Sequence, residues 1–566
     1  MELEFTLITL CLFSFLSSFC SLTVELIIAK TLVTLSDQSV LWESLTIGFY
    51  MLGIGCGVMG FPYLKKKSVS DFLFQVELLL SFCALFAIPF LLSLHIVYHI
   101  YFANFALTIA QSITPLHVIM LTAQALTILT GFLAGGELAS LLFFAKKQSY
   151  KIKQTSSQLY AFVLACYYFG ALTGSLIFTT VSVHYSLSHT ALFVASINAG
   201  LALYLLKELL KKLLKNSHSA YFSKTLAFIF FIFVLTAYLT PLISQLQLKN
   251  FYYNKMKFVL QNNKVIQLGP KKLSELPRFY QDSPTITRIY SPYQHLDLVP
   301  PFSYLGQEQS FTLFLNGHFQ FSLNTERAYH EFLAHIPIMM MTIPKRILLL
   351  GGGDGLLLRE LLKYPEPLQH IDLVEIDPEM LAFAQSSMML KVNKDSLHHP
   401  KVSLHRTDAY TWLRRTAKEP YDAIYMDFPY PYDVEIARLY SVEFFTLLAT
   451  HLKDSGFLVM DVPIFPEKLD HQANCVLFNT LEAGGFKRLL SFREHEETFL
   501  FASKQDTELR PSYRQLPISL QELKQDWFSQ ADQWFSVQGC SQIADSKIIN
   551  SMFKPYAIPY QDPLFY

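Results

Sequence analysis

The sequence predicts an α-helical transmembrane bundle followed by a doubly wound α/β domain, with a small β-hairpin subdomain at the start of the latter. Three observations predict it. Seven apolar runs crowd the first 248 residues, most of them near the roughly 20 residues that span a bilayer. Asn316 and Gly317 then sit between two stretches of alternating apolar and polar residues, the strongest short hairpin signal. From residue 346 the rhythm becomes strand, glycine loop, helix, strand, as in a parallel sheet with helices on both faces.

At 566 residues the chain is expected to hold several domains. The divisions read from it are 1–248 for the membrane part, 249–345 for a strand-rich subdomain, 346–505 for a Rossmann-like (methyltransferase-type) domain and 506–566 for an extension rich in Gln, Ser and Pro. Lysine plus arginine equal aspartate plus glutamate at 45 each, so no field exists to gather nucleic acid, and no nucleic-acid partner is expected. The chain is 52% hydrophobic with a mean hydropathy of +0.30, and its charges are sparse up to about residue 248. The opening MELEF is acidic where a signal peptide is basic, so the first apolar run is expected to be a retained span. Cys11, Cys20, Cys56, Cys83, Cys166, Cys475 and Cys540 show no paired spacing, and neither a disulfide framework nor a zinc site is expected.

The expected spans are 6–28, 41–62, 72–94, 117–141, 158–181, 189–206 and 225–246, with 95–116 apolar enough to leave the count open by one. Gly53 with Gly57, and Gly170 with Gly174, are GxxxG pairs that let helix backbones approach. Glu25, Glu77 and Glu137 fall in or near spans, where an acid either faces the bundle and bonds a neighbouring helix or serves transport or proton relay. Lysines at 65–67, 146–153 and 207–215 mark alternate loops as cytoplasmic, which with seven spans places the carboxyl half outside. Lys249, Lys255, Lys257 and Lys264 oppose that orientation, and 207–215 also reads as an amphipathic helix in the membrane interface.

In the second half, 325–340 reads as a helix and strands are expected at 347–350, 371–375, 402–406, 423–426 and 457–462. Ligands of such sheets bind beyond the carboxyl ends of the strands. Four carboxylates arrive there: Asp354, Glu375, Asp408 and Asp427. Gly351, Gly352, Gly353 and Gly355 form a loop that lets a ligand approach the backbone. Glu375 lies 20 residues after Gly355, the spacing at which an acid takes ribose hydroxyls. Asp354, however, repels a pyrophosphate and attracts a cation, which favours a sulfonium donor with an amine over a dinucleotide. Asp377, before Pro378, reads as a helix cap, and Asp408 alone could be another. His330 alone could be a satisfied core histidine, and His398 with His399 reads as surface loop without a metal role.

With these pieces in order, the second half resembles the spermidine synthases (polyamine aminopropyltransferases), in particular their long bacterial form with an amino-terminal multi-pass membrane domain. The motifs are SPYQ (291–294), LNGHFQ (315–320), YHE (329–331), GGGDG (351–355), VEID (374–377), TDAY (407–410), YDAIYMD (421–427) and RLYSVEFF (438–445). The resemblance implies aminopropyl transfer from decarboxylated S-adenosylmethionine, a co-substrate and not a bound cofactor, to a diamine, putrescine by family default, with no metal. It implies that Gln294 bonds the donor's nucleoside and that Tyr329 and His330 lie between donor and acceptor. It gives Asp354 the aminopropyl ammonium, Glu375 the ribose, Asp408 with the Ala409 backbone the adenine, Asp427 the acceptor's proton, and Tyr440 a place in the acceptor pocket. Family members are often dimers or tetramers, so a homodimer is among the implied partners, beside the polyamine acceptor and the lipid bilayer. The implied location is the inner membrane, with the catalytic domain on the cytoplasmic side.

The chain departs from the family pattern in three places. Tyr430 stands where a second loop acid is usual, with Asp433 near enough in sequence to substitute. Thr325 and Glu326 keep only the second residue of the usual Asp-Glu, and 491–503 lacks the usual Gly and Trp-Gly. Two other readings stand beside the first. One is an amine methyltransferase using intact S-adenosylmethionine, since Asp427, Phe428, Pro429 and Tyr430 are one residue from an Asp-Pro-Pro-Tyr loop. The other is a membrane transporter or sensor with a nucleoside- or polyamine-binding domain.

Overall fold

The computed structural model describes residues 5–36, 39–64, 68–101, 115–152, 155–181, 187–213, 219–255, 257–259, 265–267, 272–304, 307–415, 419–431, 434–462, 472–494, 497–505, 516–529, 534–536 and 548–556. Asp433, the lysines at 65–67, Lys264, Cys540 and most of the region 95–116 lie outside the described residues. The chain divides into two compact units, Met1–Ile286 and Thr287–Tyr566.

Among the described residues the first unit is built on seven long helices: α1 (Leu7–Ser36), α2 (Ser39–Leu64), α3 (Val69–Tyr101), α4 (Pro115–Ile152), α5 (Ser156–Val181), α6 (Leu187–Leu213) and α7 (Ser219–Lys255). Among the described residues, α1 to α6 are long and apolar enough to cross a membrane. Helix α7 covers the seventh expected span, and the lysine-rich stretch from 207 continues α6 as far as Leu213. The GxxxG pairs sit at the closest helix approaches. A Cβ on Gly53 would lie 2.5 Å from the Ile128 carbonyl oxygen, and one on Gly57 would collide with that of Phe132. Gly131 and Gly135 of α4 meet Tyr50 and Ile54 of α2 in the same way, so this seam has small residues on both sides. Gly170 meets Phe15 of α1. Glu25, Glu77 and Glu137 are all buried inside the bundle. Polar side chains also tie the helices: Ser81 donates to the Ala195 carbonyl (2.9 Å) and Gln124 to Thr46 (3.0 Å). The unit ends in the antiparallel pair β1 (Lys257–Val259) and β2 (Val265–Gln267) and in α8 (Leu276–Asp282).

The second unit opens with strands β3 (Thr287–Tyr290), β4 (His295–Val299), β5 (Phe302–Tyr304), β6 (Gln307–Gln309), β7 (Thr312–Leu315) and β8 (His318–Ser322). Among the described residues, β3, β4, β7 and β8 form an antiparallel sheet, and β5 pairs with β6. Asn316 and Gly317 both take positive φ (50° and 89°), the type I′ geometry that matches strand twist in a two-residue hairpin. Helix α9 (Glu326–Met340) follows.

Next come β9 (Arg346–Gly351), α10 (Leu356–Leu361), β10 (His370–Glu375), α11 (Pro378–Ala384), α12 (Met389–Asn393), β11 (Val402–Arg406), α13 (Ala409–Arg415) and β12 (Tyr421–Asp427). The chain continues through α14 (Val434–Ala437), α15 (Val442–His451), β13 (Leu452–Val462), α16 (Gln472–Ala483), β14 (Arg488–Glu494), β15 (Glu497–Ser503) and β16 (Trp534–Ser536). Among the described residues these strands form one sheet in the order β11-β10-β9-β12-β13-β15-β14-β16. The first five are parallel and the remaining pairings antiparallel. Strand β9 is apolar on both faces because both are covered. Ile347 and Leu349 pack with Phe332 and Ile336 of α9, while Leu348 and Leu350 pack with Phe444 and Leu448 of α15. The strand order reverses beside β9, so β9 and β12 flank the crevice where such sheets hold ligands.

Part of the tail packs as an extension: Leu516, Leu523 and Trp527 join the core under α9. Its anchor is Glu331, fully buried, whose carboxylate accepts from the backbone N–H of Gln521, Glu522 and Leu523 at 2.8–3.1 Å. One cysteine expectation needs correction: Cys475 is disulfide-bonded. Pairing is a tertiary property, and sequence spacing did not carry it.

Candidate active site

The glycine loop is shaped by the strand beside it. Gly351 pairs with Asp427 across β9 and β12, and the Gly352 N–H donates to the Asp427 carbonyl (3.1 Å). Gly351 and Gly352 have φ of +78° and +68°, and a Cβ on Gly352 would lie 2.9 Å from Asp427 Oδ2. A Cβ on Gly353 would lie 2.6 Å from Glu375 Oε2. Glycine here therefore gives both the backbone turn and the room for two carboxylates.

On the donor side, Asp354 Oδ1 accepts from the Leu356 N–H (2.8 Å), and none of the described residues donates to Oδ2. Burial holds the Asp354 carboxyl above the usual range, with the charge of His330 opposing it. Glu375, at the end of β10, is pushed up to about 7 chiefly by burial, although its Oε1 accepts from the Asp377 N–H (2.8 Å). Asp377 caps α11 through the Glu379 N–H (2.9 Å). Its other oxygen accepts from Ser291 (3.0 Å) and from Gln294 Nε2 (2.6 Å). Gln294 thus reaches the edge of the cleft with its amide nitrogen already engaged. Asp408 caps α13 by accepting from the Thr411 N–H (2.8 Å), and its second oxygen pairs with Arg438 (2.7 Å). Ala409 is the buried first residue of that helix.

The opposite wall is acidic. The Tyr329 hydroxyl lies 3.1 Å from Asp427 Oδ1 and 3.2 Å from Asp461 Oδ2. Burial and then the two carboxylates push the Tyr329 phenol far up, so it stays protonated. One proton serves two acceptors, so it bonds one carboxylate at a time. Asp427 is pushed up to about 6, first by burial and then by the charge of Asp354, with His330 and the Tyr329 hydrogen bond opposing. Asp461 is raised well above the carboxylate range by burial and by the charge of Glu497. Tyr430 donates to Glu497 (3.2 Å), and buried Tyr440 donates to the Pro429 carbonyl (3.3 Å) beside Asp461 and Asp427. His330 is buried on α9, its Nδ1 2.5 Å from the Glu326 carbonyl and 3.1 Å from Glu326 Oε2. Burial lowers its affinity for a proton, but the Glu326 hydrogen bond and the charges of Asp354 and Asp427 outweigh this and raise it.

The cleft brings together Tyr329, Asp354, Glu375 and Asp427 around the glycine loop, with Tyr440 lining it. Asp408 and Gln294 instead hold protein partners with at least part of their polar groups. Asp461 and Glu497 went unnoticed in the sequence. Asp461 ends an apolar strand, the same signal that marked Asp427. Glu497 arrives through the β14–β15 hairpin, which no local pattern could reveal. Among the described residues no group of His, Cys, Asp and Glu could hold a metal ion.

Comparison with known proteins shows what this geometry is similar to. The spermine/spermidine synthase domain matches residues 326–469, a span that holds Tyr329, Asp354, Glu375, Asp427 and Asp461. The chain is similar to polyamine aminopropyltransferase 2 of Aquifex aeolicus, 28% identical over 85% of this chain and 83% of that one. It is also similar to the polyamine aminopropyltransferase of Leptospira interrogans, 27% identical over 78% of this chain and 76% of that one. Polyamine aminopropyltransferase 2 of Ralstonia nicotianae is 38% identical over 31% of this chain and 33% of its own length. The crystal structure of spermidine synthase from Thermotoga maritima is similar over 40% of this chain and 73% of its own, with 21% identity and a TM-score of 0.33. The match at the cleft and the relatives that run on through the amino-terminal helices agree: the chain is a transferase whose residues 326–469 match the spermine/spermidine synthase domain and which is similar to polyamine aminopropyltransferases over most of its length.

Proposed function

We propose that the chain transfers the aminopropyl group of decarboxylated S-adenosylmethionine to a diamine, putrescine by family default, with Asp427 as proton acceptor. The observation that carries this reading is the half-buried Asp427 carboxylate, held beside the glycine loop and within 3.1 Å of the Tyr329 hydroxyl. The donor is a sulfonium with a primary amine, and the acceptor is cationic, so both reactants suit a cleft walled by carboxylates. Asp354 Oδ2 takes the donor's ammonium, Glu375 its ribose hydroxyls, and Asp408 with the Ala409 backbone its adenine, with Gln294 at the nucleoside's edge. The acceptor amine, once neutral, attacks the propyl carbon bound to sulfur. A C–N bond forms as the C–S bond breaks, methylthioadenosine leaves with the electron pair, and Asp427 takes the proton from nitrogen. The sulfonium is already a good leaving group, so positioning and exclusion of water supply the rest. Methyl transfer from intact S-adenosylmethionine is disfavoured because that donor's carboxylate would face Asp354. The proposed location is the cell membrane with the second unit on the cytoplasmic side, where a soluble donor reaches it.

The test is release of methylthioadenosine by the full chain in detergent, given decarboxylated donor and putrescine. Asp427→Asn is expected to lower turnover by about 100-fold to 10,000-fold while nucleoside binding persists. Consumption of intact S-adenosylmethionine alone, with a methylated amine as product, would overturn the reading.

A further inference from the structure

The acidic wall extends past the point of attack. Asp461 lies opposite Phe499 in the β13–β15 pairing, and Glu497 is two residues before Phe499, so all three share one face of the sheet. The Phe499 ring, fully buried, lies 5.3 Å from that of Tyr329 and backs it from the core. Along it the polar groups run Asp427, Tyr329 hydroxyl, Asp461, Tyr430 hydroxyl, Glu497. Asp461 is only 8% exposed, and its Oδ1 is buried with no hydrogen-bond partner among the described residues, an acceptor with nothing to accept. No Lys or Arg among the described residues pairs with Asp427 or Asp461. Tyr430 occupies the place of the usual second loop acid, yet two carboxyl groups stand beside it, carried by a neighbouring strand and a hairpin.

We infer that Asp461 and Glu497 hold the distal ammonium of the acceptor in place of the missing loop acid, and so restrict the acceptor to amines with at least two cationic centres. The inference rests on the proposed role of Asp427, which fixes the end of the wall where the attacking nitrogen sits. An alkyl chain passes beside Tyr329, its near nitrogen at Asp427 and its far ammonium donating to Asp461 Oδ1. Tyr430 keeps Glu497 in place through its hydroxyl, as a positioning residue.

The experiment is calorimetric titration of 1,4-diaminobutane and of 1-aminobutane onto the full chain in detergent, saturated with methylthioadenosine. The wild type is expected to prefer the diamine, and Asp461→Asn and Glu497→Gln are each expected to weaken it about tenfold or more while leaving the monoamine unchanged. Retained methylthioadenosine binding shows that each variant is folded. Equal binding of the two amines by the wild type, or an unchanged preference in both variants, would overturn the inference. A turnover assay on the same preparations separates the two readings. Without methylthioadenosine release from any amine the aminopropyl-transfer reading fails, whereas the charge-reading role of Asp461 and Glu497 is decided by the titrations.

Discussion

Tyr329 and Asp427 stand 3.1 Å apart, hydroxyl to carboxylate, joining the first long helix of the second unit to the end of the strand beside the glycine loop. That hydrogen bond favours the ionised form of Asp427. Tyr329→Phe removes it, so the pH at which activity appears should move upward. At neutral pH kcat/KM should fall about 10- to 100-fold, the worth of one hydrogen bond to a charged group. A pH–rate profile that keeps its acid limb in place would show that the hydroxyl does not act on Asp427.

The pH dependence of the parent protein follows from the same carboxylate. Asp427 accepts a proton only when ionised, and burial with the nearby charge of Asp354 pushes it up to about 6. Activity should therefore rise as pH increases through about 6. Asp354→Asn removes a like charge, which lowers the Asp427 pKa and shifts that limb to lower pH. The same change weakens donor binding, so kcat/KM falls overall while its profile moves in the acid direction. Initial rates from pH 4.5 to 8 would measure both effects.

Glu326 anchors the cleft from behind. It accepts from Arg359 at 3.0 and 2.9 Å and meets His330 at 3.1 Å, all three being buried. Burial alone would raise the Glu326 pKa, but hydrogen bonds from His330 and Arg359 outweigh it and bring it down to about 2. A depressed carboxylate stabilises the fold fully above its unfolded value near 4.5 and loses that contribution as pH falls towards about 2. Glu326→Gln should cost about 3–5 kcal/mol, because it leaves Arg359 buried and short of its partner. It should also flatten the acid limb of the stability curve between those two pH values, measurable by thermal melting across pH.

Much of this was legible in the sequence, for reasons that differ by residue. The β9 strand, its glycine loop and Asp427 carry local signals: an apolar run, glycines and a carboxylate at a strand end. Helix α9 declared itself by its period, and Asp377 as a cap by the proline after it. What the sequence did not carry is pairing between distant strands. Asp461 becomes a neighbour of Asp427 because β12 and β13 pair in parallel, Met426 opposite Met460, and Glu497 reaches Tyr430 because β15 turns back against β13. Sequence distance hid both, as it hid the disulfide at Cys475. Asp408 was legible as a helix cap, but its pairing with Arg438 was not, nor was the hydrogen bond from Gln294 to Asp377.

In the first unit, two glycines of one helix should respond in opposite ways. A Cβ on Gly57 would strike the Phe132 carbonyl, whereas one on Gly55 would meet nothing within 4 Å among the described residues. Gly57→Leu should force α2 away from α4, at a cost of about 1–3 kcal/mol or more. Gly55→Ala should be tolerated. Thermal melting of both variants in detergent checks the contrast, and equal loss in the two would remove the close approach as its cause.

Helix α9 shows Tyr329 to the cleft and, two residues on, buries Glu331 among three N–H groups of the tail. A chain shortened before residue 521 would strip that buried carboxylate of all three donors in the very turn that aims Tyr329 at Asp427. The tail is thus a brace for the catalytic helix, and an apparently inactive truncation would report a helix that has lost its backing, with every residue of the cleft still present.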